Sequence, residues 1–196
     1  QMCIRDSPIT LNYSGQNDGW SFGHDRFVKA MNERKYPLYF YWGAFGHANN
    51  HARILKVNDL INSFEWRSVR KNQAYPVFTN ASCNSKLPWP DNLKDKKTGQ
   101  LNAFFRWRLI SDTEKVLKIS LFMISSDQLK TEFKIPEKAT ADVSLRRLQR
   151  IKFNEGDSVK WSFGKVDGET IIGSDEIFTV KNLNLTSTPQ TLSINR

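Results

Sequence analysis

From Leu101 to the end of the chain, apolar and polar side chains alternate with a period of two. No other feature constrains the fold as much. Such alternation puts one side of an extended backbone into a core and the other into water, so the segment must build half-buried β-strands. Ala103, Phe105, Trp107 and Leu109 share one face, with Arg106 and Arg108 opposite. Leu117, Ile119, Leu121 and Met123 repeat the pattern after Ser111-Asp112-Thr113, which reads as a hairpin turn. Val143 with Leu145, then Val159, Trp161 and Phe163, then Leu183 with Leu185, then Leu192 with Ile194 continue it. The quartets Asn154-Glu155-Gly156-Asp157 and Val166-Asp167-Gly168-Glu169 are expected to separate strands. About seven short strands with no helical stretch predict an all-β antiparallel sandwich over residues 99–196. Trp107 and Trp161 fall on apolar faces and are expected in the core, whereas Arg146, Arg147 and Arg150 are expected at a solvated edge.

The first third reads differently. Ile9-Thr10-Leu11-Asn12-Tyr13 is a short β-favouring run closed by the turn cluster Ser14-Gly15-Gln16-Asn17-Asp18-Gly19. Asp25 to Arg34 carries Phe27, Val28 and Met31 on one helical face, and Pro37 ends it. Leu38-Tyr39-Phe40-Tyr41-Trp42 follows as an aromatic strand, broken by Gly43-Ala44-Phe45-Gly46. Ile54 to Ser63 is expected to form a second helix. Strand, helix, strand reads as a βαβ unit, hence a parallel pair that needs cover on both faces and partners at its edges. Residues 8–65 are therefore expected to form the end of a larger α/β sheet, and 66–98 a connector. The opening string Met2-Cys3-Ile4-Arg5-Asp6-Ser7 resembles a translated adapter remnant from metagenomic sequencing, so residues 1–7 are set apart as non-native.

Composition narrows the partners. The net charge of +9 is spread out, with 14 basic and 8 acidic residues in 1–98 and 15 and 12 in 99–196. No Lys/Arg run exceeds two, so no phosphate-tracking patch and no nucleic-acid partner is expected. No apolar run approaches the roughly 20 residues of a membrane span. Two cysteines make no disulfide framework and no zinc site, and nothing beside Cys83 favours a thiolate. His47 and His51 stand four apart without a third ligand, so neither metal nor cofactor is expected, and His24 is read as opening the helix. Asn12, Asn80 and Asn184 begin N-x-Ser/Thr triplets to which no role is given.

Two loops hold groups suited to proton transfer. Asp18 follows the first strand and His47 the aromatic strand. Adjacent parallel strands would bring both loops to one rim, where ligands of open sheets collect. A carboxylate on imidazole Nδ1 fixes the tautomer and stabilises the imidazolium formed during acyl transfer. The plainer alternatives are an Asx-turn for Asp18 and a solvent-facing loop imidazole for His47. Trp20, Phe22 and Phe45 are candidates to line an acyl pocket, with core packing as the alternative.

The stretch from Asn12-Tyr13-Ser14-Gly15-Gln16-Asn17-Asp18 to Tyr41-Trp42-Gly43-Ala44-Phe45-Gly46-His47 resembles the last two strands of an α/β-hydrolase. The resemblance covers residues 8–65 and implies that Asp18 and His47 are the acid and base of a serine hydrolase whose nucleophile lies upstream, so that the parent protein is the enzyme and this chain alone is expected to be inactive. Gly19-Trp20-Ser21-Phe22-Gly23 matches the G-x-S-x-G string, but the strand ends early and no acid is well placed between Ser21 and His47. Ser21 is therefore the weaker nucleophile candidate. The implied reaction is cleavage of a small-molecule, peptide or polymer ester or amide through an acyl-enzyme, in a secreted or periplasmic setting. The competing reading is a β-sandwich binding module for polysaccharide or a surface partner, without catalysis. Exposed coplanar aromatics on one sheet face would favour it.

Overall fold

Short apolar runs broken by Gly, Pro and Asn form eleven strands and one helix among the residues that the computed structural model describes, 8–18, 23–47, 69–89, 98–128, 131 and 133–195. The first half contains β1 (Thr10–Gly15), α1 (His24–Glu33), β2 (Leu38–Gly43), β3 (Tyr75–Thr79) and β4 (Gly99–Leu101). The second contains β5 (Phe105–Asp112), β6 (Val116–Met123), β7 (Lys138–Arg146), β8 (Ser158–Phe163), β9 (Val166–Ile171), β10 (Thr179–Thr186) and β11 (Gln190–Asn195).

Three sheets result. Five antiparallel strands run in the order β5-β6-β11-β8-β9, and three in the order β10-β7-β3. Their inner faces share one core. Phe78 of β3, Val143 and Leu145 of β7, and Leu183 and Leu185 of β10 belong to it from one side. Leu117, Ile119 and Leu121 of β6, with Leu192 and Ile194 of β11, belong to it from the other. Phe78 and Phe105 stack across the two sheets with ring centroids 4.5 Å apart. The described chain is thus predominantly β and sandwich-like. The turn before β9 is Gly164-Lys165 rather than the quartet 166–169, which lies within the strand. Gly164 holds φ 60°, the backbone state a two-residue turn of this kind takes at its first position.

The third sheet has the order β1-β2-β4. β1 and β2 are parallel, from Thr10 opposite Leu38 to Gly15 opposite Gly43, and β4 pairs antiparallel with β2. All six residues of β2 are buried. Its alternation sorts them into two cores. Leu38, Phe40 and Trp42 pack with Val28 and Met31 of α1 and with Trp89 and Leu101. Tyr39 joins the sandwich core and stacks on Trp107 at 6.4 Å.

These contacts correct the expected fold class and the resemblance behind it. The chain is not a truncated end of an α/β-hydrolase sheet followed by a sandwich. Among the described residues its mixed sheet has three strands, one pair of them parallel, with α1 on one face and the β-sandwich on the other. The local strand-helix-strand reading was sound. What covers the second face is a long-range matter that periodicity does not report. The expected second helix, 54–63, lies outside the described residues.

Two contacts lock the layers together. Asn102, buried with φ 59°, donates from Nδ2 to the Leu38 and Phe78 carbonyls, both at 2.9 Å, and so ties β2 to β3. Arg146 at the end of β7 is buried rather than set at a solvated edge, and caps the C-terminus of α1. Its guanidinium donates to the Lys35 carbonyl at 3.0 Å and to the Arg34 carbonyl, and lies 4.9 Å over the Tyr36 ring. A cation there answers both the unpaired carbonyls and the negative end of the helix dipole.

Removing the Asn102 amide orphans two buried carbonyls, so Asn102→Ala is expected to cost about 2–4 kcal/mol. Asn102→Gly, which suits the positive φ, should restore only about 1 kcal/mol of that. Urea unfolding measures both; a loss below about 0.5 kcal/mol for the alanine variant would show that the link is dispensable.

Candidate functional site

The parallel ladder does not stop at the strand ends. Gln16 N–H donates to the Gly43 carbonyl at 2.8 Å and Asn17 N–H to the Phe45 carbonyl at 3.0 Å. The two loops therefore leave the sheet side by side. Phe45 folds back over the last rung, its N–H bonded to the Gly43 carbonyl at 2.9 Å. Its ring stacks on Tyr13 at 5.2 Å and rests on the facing pair Gly15 and Gly43. A Cβ on Gly43 would stand 2.2 Å from the ring edge, and one on Gly15 2.7 Å from the Phe45 carbonyl oxygen. Only glycine at both positions allows this fold-back.

Two residues beyond Phe45, His47 is brought to Asp18, with Nδ1 and Oδ2 3.0 Å apart. The Asp18 side chain is 17% exposed and that of His47 77%. The carboxylate is thus held in the protein while the ring stands at the surface. This geometry suits an Nδ1–H that donates to the carboxylate.

Sequence reasoning missed a second imidazole contact. Ser14 Oγ, buried near the end of β1, lies 3.1 Å from His24 Nδ1 at the start of α1. The His24 ring meets Phe40 and Trp89 edge-on at 5.6 and 5.1 Å. Burial lowers its pKa below the ordinary 6.5, while the charges of Asp18 and Asp25 oppose that shift. Asp18 therefore acts on two imidazoles, one by a hydrogen bond and one through space. The signal was present in part, since period two puts Ser14 on the same side as Asn12. Only the helix start brings His24 onto it.

The remaining candidates are placed as follows. Phe45 packs over the strand ends. Ser21, Trp20, Phe22 and His51 lie outside the described residues. No Ser–His–Asp triad forms among the described residues, where Ser14 lies against His24 and Asp18 against His47, so the catalytic triad implied by the hydrolase resemblance is not supported. No group of three metal-ligating side chains occurs among the described residues. No described helix is long and apolar enough to cross a membrane. Cys83 is a free thiol whose pKa burial pushes up to about 11, which disfavours the reactive thiolate. No family model, curated protein or solved structure matches the chain.

Gly43→Ala is expected to lift Phe45 off the strand ends and separate His47 from Asp18. A crystal structure of the variant that keeps the 3.0 Å contact would refute this positioning role. His24 supplies a test in solution. Its folded pKa lies below its unfolded value, so the unfolded chain binds the proton more readily. Its contribution to stability is complete above about pH 6.5 and is lost as pH falls through the lower folded value. Thermal midpoints should therefore drop on acidification, and His24→Gln should flatten the drop relative to wild type.

Proposed function

We propose that the Asp18–His47 pair is the acid–base dyad of a hydrolytic site acting on an ester or amide. The observation that carries this reading is the 3.0 Å contact between Nδ1 and Oδ2, made where two parallel strands end. In the reaction, the His47 imidazole takes a proton from an attacking hydroxyl and later returns it to the leaving group. Asp18 stays ionised, orients the ring and stabilises the imidazolium. The chain's own contribution is the base and its carboxylate. The surface position of His47 suits a substrate approaching from solvent. Small-molecule, peptide and polymer substrates all share the acyl chemistry this dyad serves.

The binding-module reading called for coplanar exposed aromatics on a sheet face. Trp107 is only 8% exposed, and Trp161 is half-buried with Nε1 bonded to Thr170 Oγ1 at 3.1 Å, so neither tryptophan supports it.

The test is turnover of p-nitrophenyl acetate and of a peptide p-nitroanilide by the purified chain. His47→Ala should lower the rate by about 100-fold, and Asp18→Asn should lower it while leaving the fold intact. Ser21→Ala tells whether that hydroxyl is the nucleophile. Hydrolysis indifferent to both His47→Ala and Asp18→Asn, or none above the buffer rate for either substrate, rejects the dyad.

A further inference from the structure

A cavity of about 230 Å³ lies where α1 and the start of β2 meet β4 and the end of β3. Its lining has an unusual chemistry for this chain. A quarter of all residues are charged, yet not one of the eleven that line the cavity is. Four are asparagines: Asn32, Asn80, Asn84 and Asn102. Against them stand Tyr36 and aliphatic walls that include Leu38 and Leu101.

The amides hold one another in place. Asn32 Nδ2 donates to Asn80 Oδ1 at 3.2 Å, and Asn32 Oδ1 accepts from the Asn80 N–H at 3.4 Å. Asn84 Nδ2 donates to Asn102 Oδ1 at 3.2 Å, and Asn84 Oδ1 accepts from the Asn102 N–H at 2.7 Å. A carboxamide has two N–H donors and two acceptor lone pairs. Asn32 and Asn84 therefore each keep one donor and one acceptor after these bonds. Asn80 and Asn102 sit at positive φ, 52° and 59°, a backbone state asparagine tolerates better than most residues. The polar groups are thus oriented before any ligand arrives, which reduces the ordering cost of binding.

We propose that this cavity binds one uncharged polyhydroxylated ring, such as a single sugar. Each hydroxyl both donates and accepts, as the amides do, and the C–H face of a sugar ring suits Tyr36 and the aliphatic wall. The charges that touch the lining from behind are already engaged: Arg146 lies over the Tyr36 ring and donates to the Lys35 carbonyl, and Asp142 accepts from Asn80 Nδ2 at 2.8 Å, so no charged side chain is itself part of the lining. The volume falls below the roughly 300–1,000 Å³ of drug-sized pockets, which selects one ring over an oligosaccharide. The inference is independent of the Asp18–His47 reading.

The test is a titration of the ¹⁵N-labelled chain with D-glucose, D-galactose and D-mannose, using sodium acetate and sodium phosphate as controls. At least one sugar should shift the side-chain amide signals of Asn32 and Asn84 with a Kd on the order of 1 mM. Asn32→Ala, a helix-favouring change on α1, should weaken that sugar about tenfold without changing the rest of the spectrum. Ala81→Leu, which fills the lining, should abolish binding. Three outcomes overturn the proposal: no sugar shifts these amides, acetate or phosphate shifts them equally, or binding survives Asn32→Ala unchanged.

Discussion

Strand β2 is buried along its whole length and on both sides, and the rest of the structure is arranged around that demand. A strand without a polar face cannot lie at the surface of a sheet; it needs two separate covers. On one side Leu38, Phe40 and Trp42 call for an apolar helix stripe, which α1 supplies through Val28 and Met31. On the other, Tyr39 and Tyr41 call for a second layer, and the aromatic edge of the sandwich supplies it through Trp107 and Phe133. The mixed sheet is therefore a shared wall between a helix core and the sandwich core. Asn102 and Arg146 then hold that wall in register through backbone carbonyls.

The candidate dyad is a consequence of the same wall. Parallel strands release their loops at the same end, so the register that buries β2 also sets the loops of Asp18 and His47 next to each other. The final angle depends on packing. Phe45 can fold over the ladder because Gly15 and Gly43 face one another with no Cβ between them. Ser14 and His24 occupy the helix-covered side of the sheet, where burial favours the neutral imidazole. One carboxylate, Asp18, thus lies between a surface imidazole and a partly buried one.

Much of this was legible residue by residue. The alternation over 101–196 located the buried faces, and Leu117, Ile119 and Leu121 are each 0% exposed. The β1-α1-β2 order and the placing of Asp18 and His47 in adjacent loops followed from turn chemistry and the helical stripe. Other features were not legible. Tyr75–Thr79 reads as part of a Pro-containing connector, yet it pairs with β7 because Val77 and Phe78 complete the sandwich core. Arg146 looks like an edge charge until the C-terminus of α1 is brought against it. The Asn32–Asn80 and Asn84–Asn102 pairs join residues 48 and 18 positions apart, and no local pattern marks them.

By itself the sequence determined that β1, β2 and most of the strands after Leu101 are extended and that α1 is helical, because side-chain period and Gly/Pro punctuation act over a few residues. It also determined that the aromatic strand must be covered twice. Only the tertiary structure decided what does the covering: a sandwich instead of further helices, and a three-residue antiparallel strand instead of more parallel ones. The reason is physical. Burial of an apolar face is satisfied equally well by any complementary apolar face, so the choice rests on shape and on a few buried hydrogen bonds between distant residues. The same holds for chemistry. The sequence put a carboxylate and an imidazole on neighbouring loops, but the 3.0 Å between them rests on two facing glycines and the aromatic ring seated upon them.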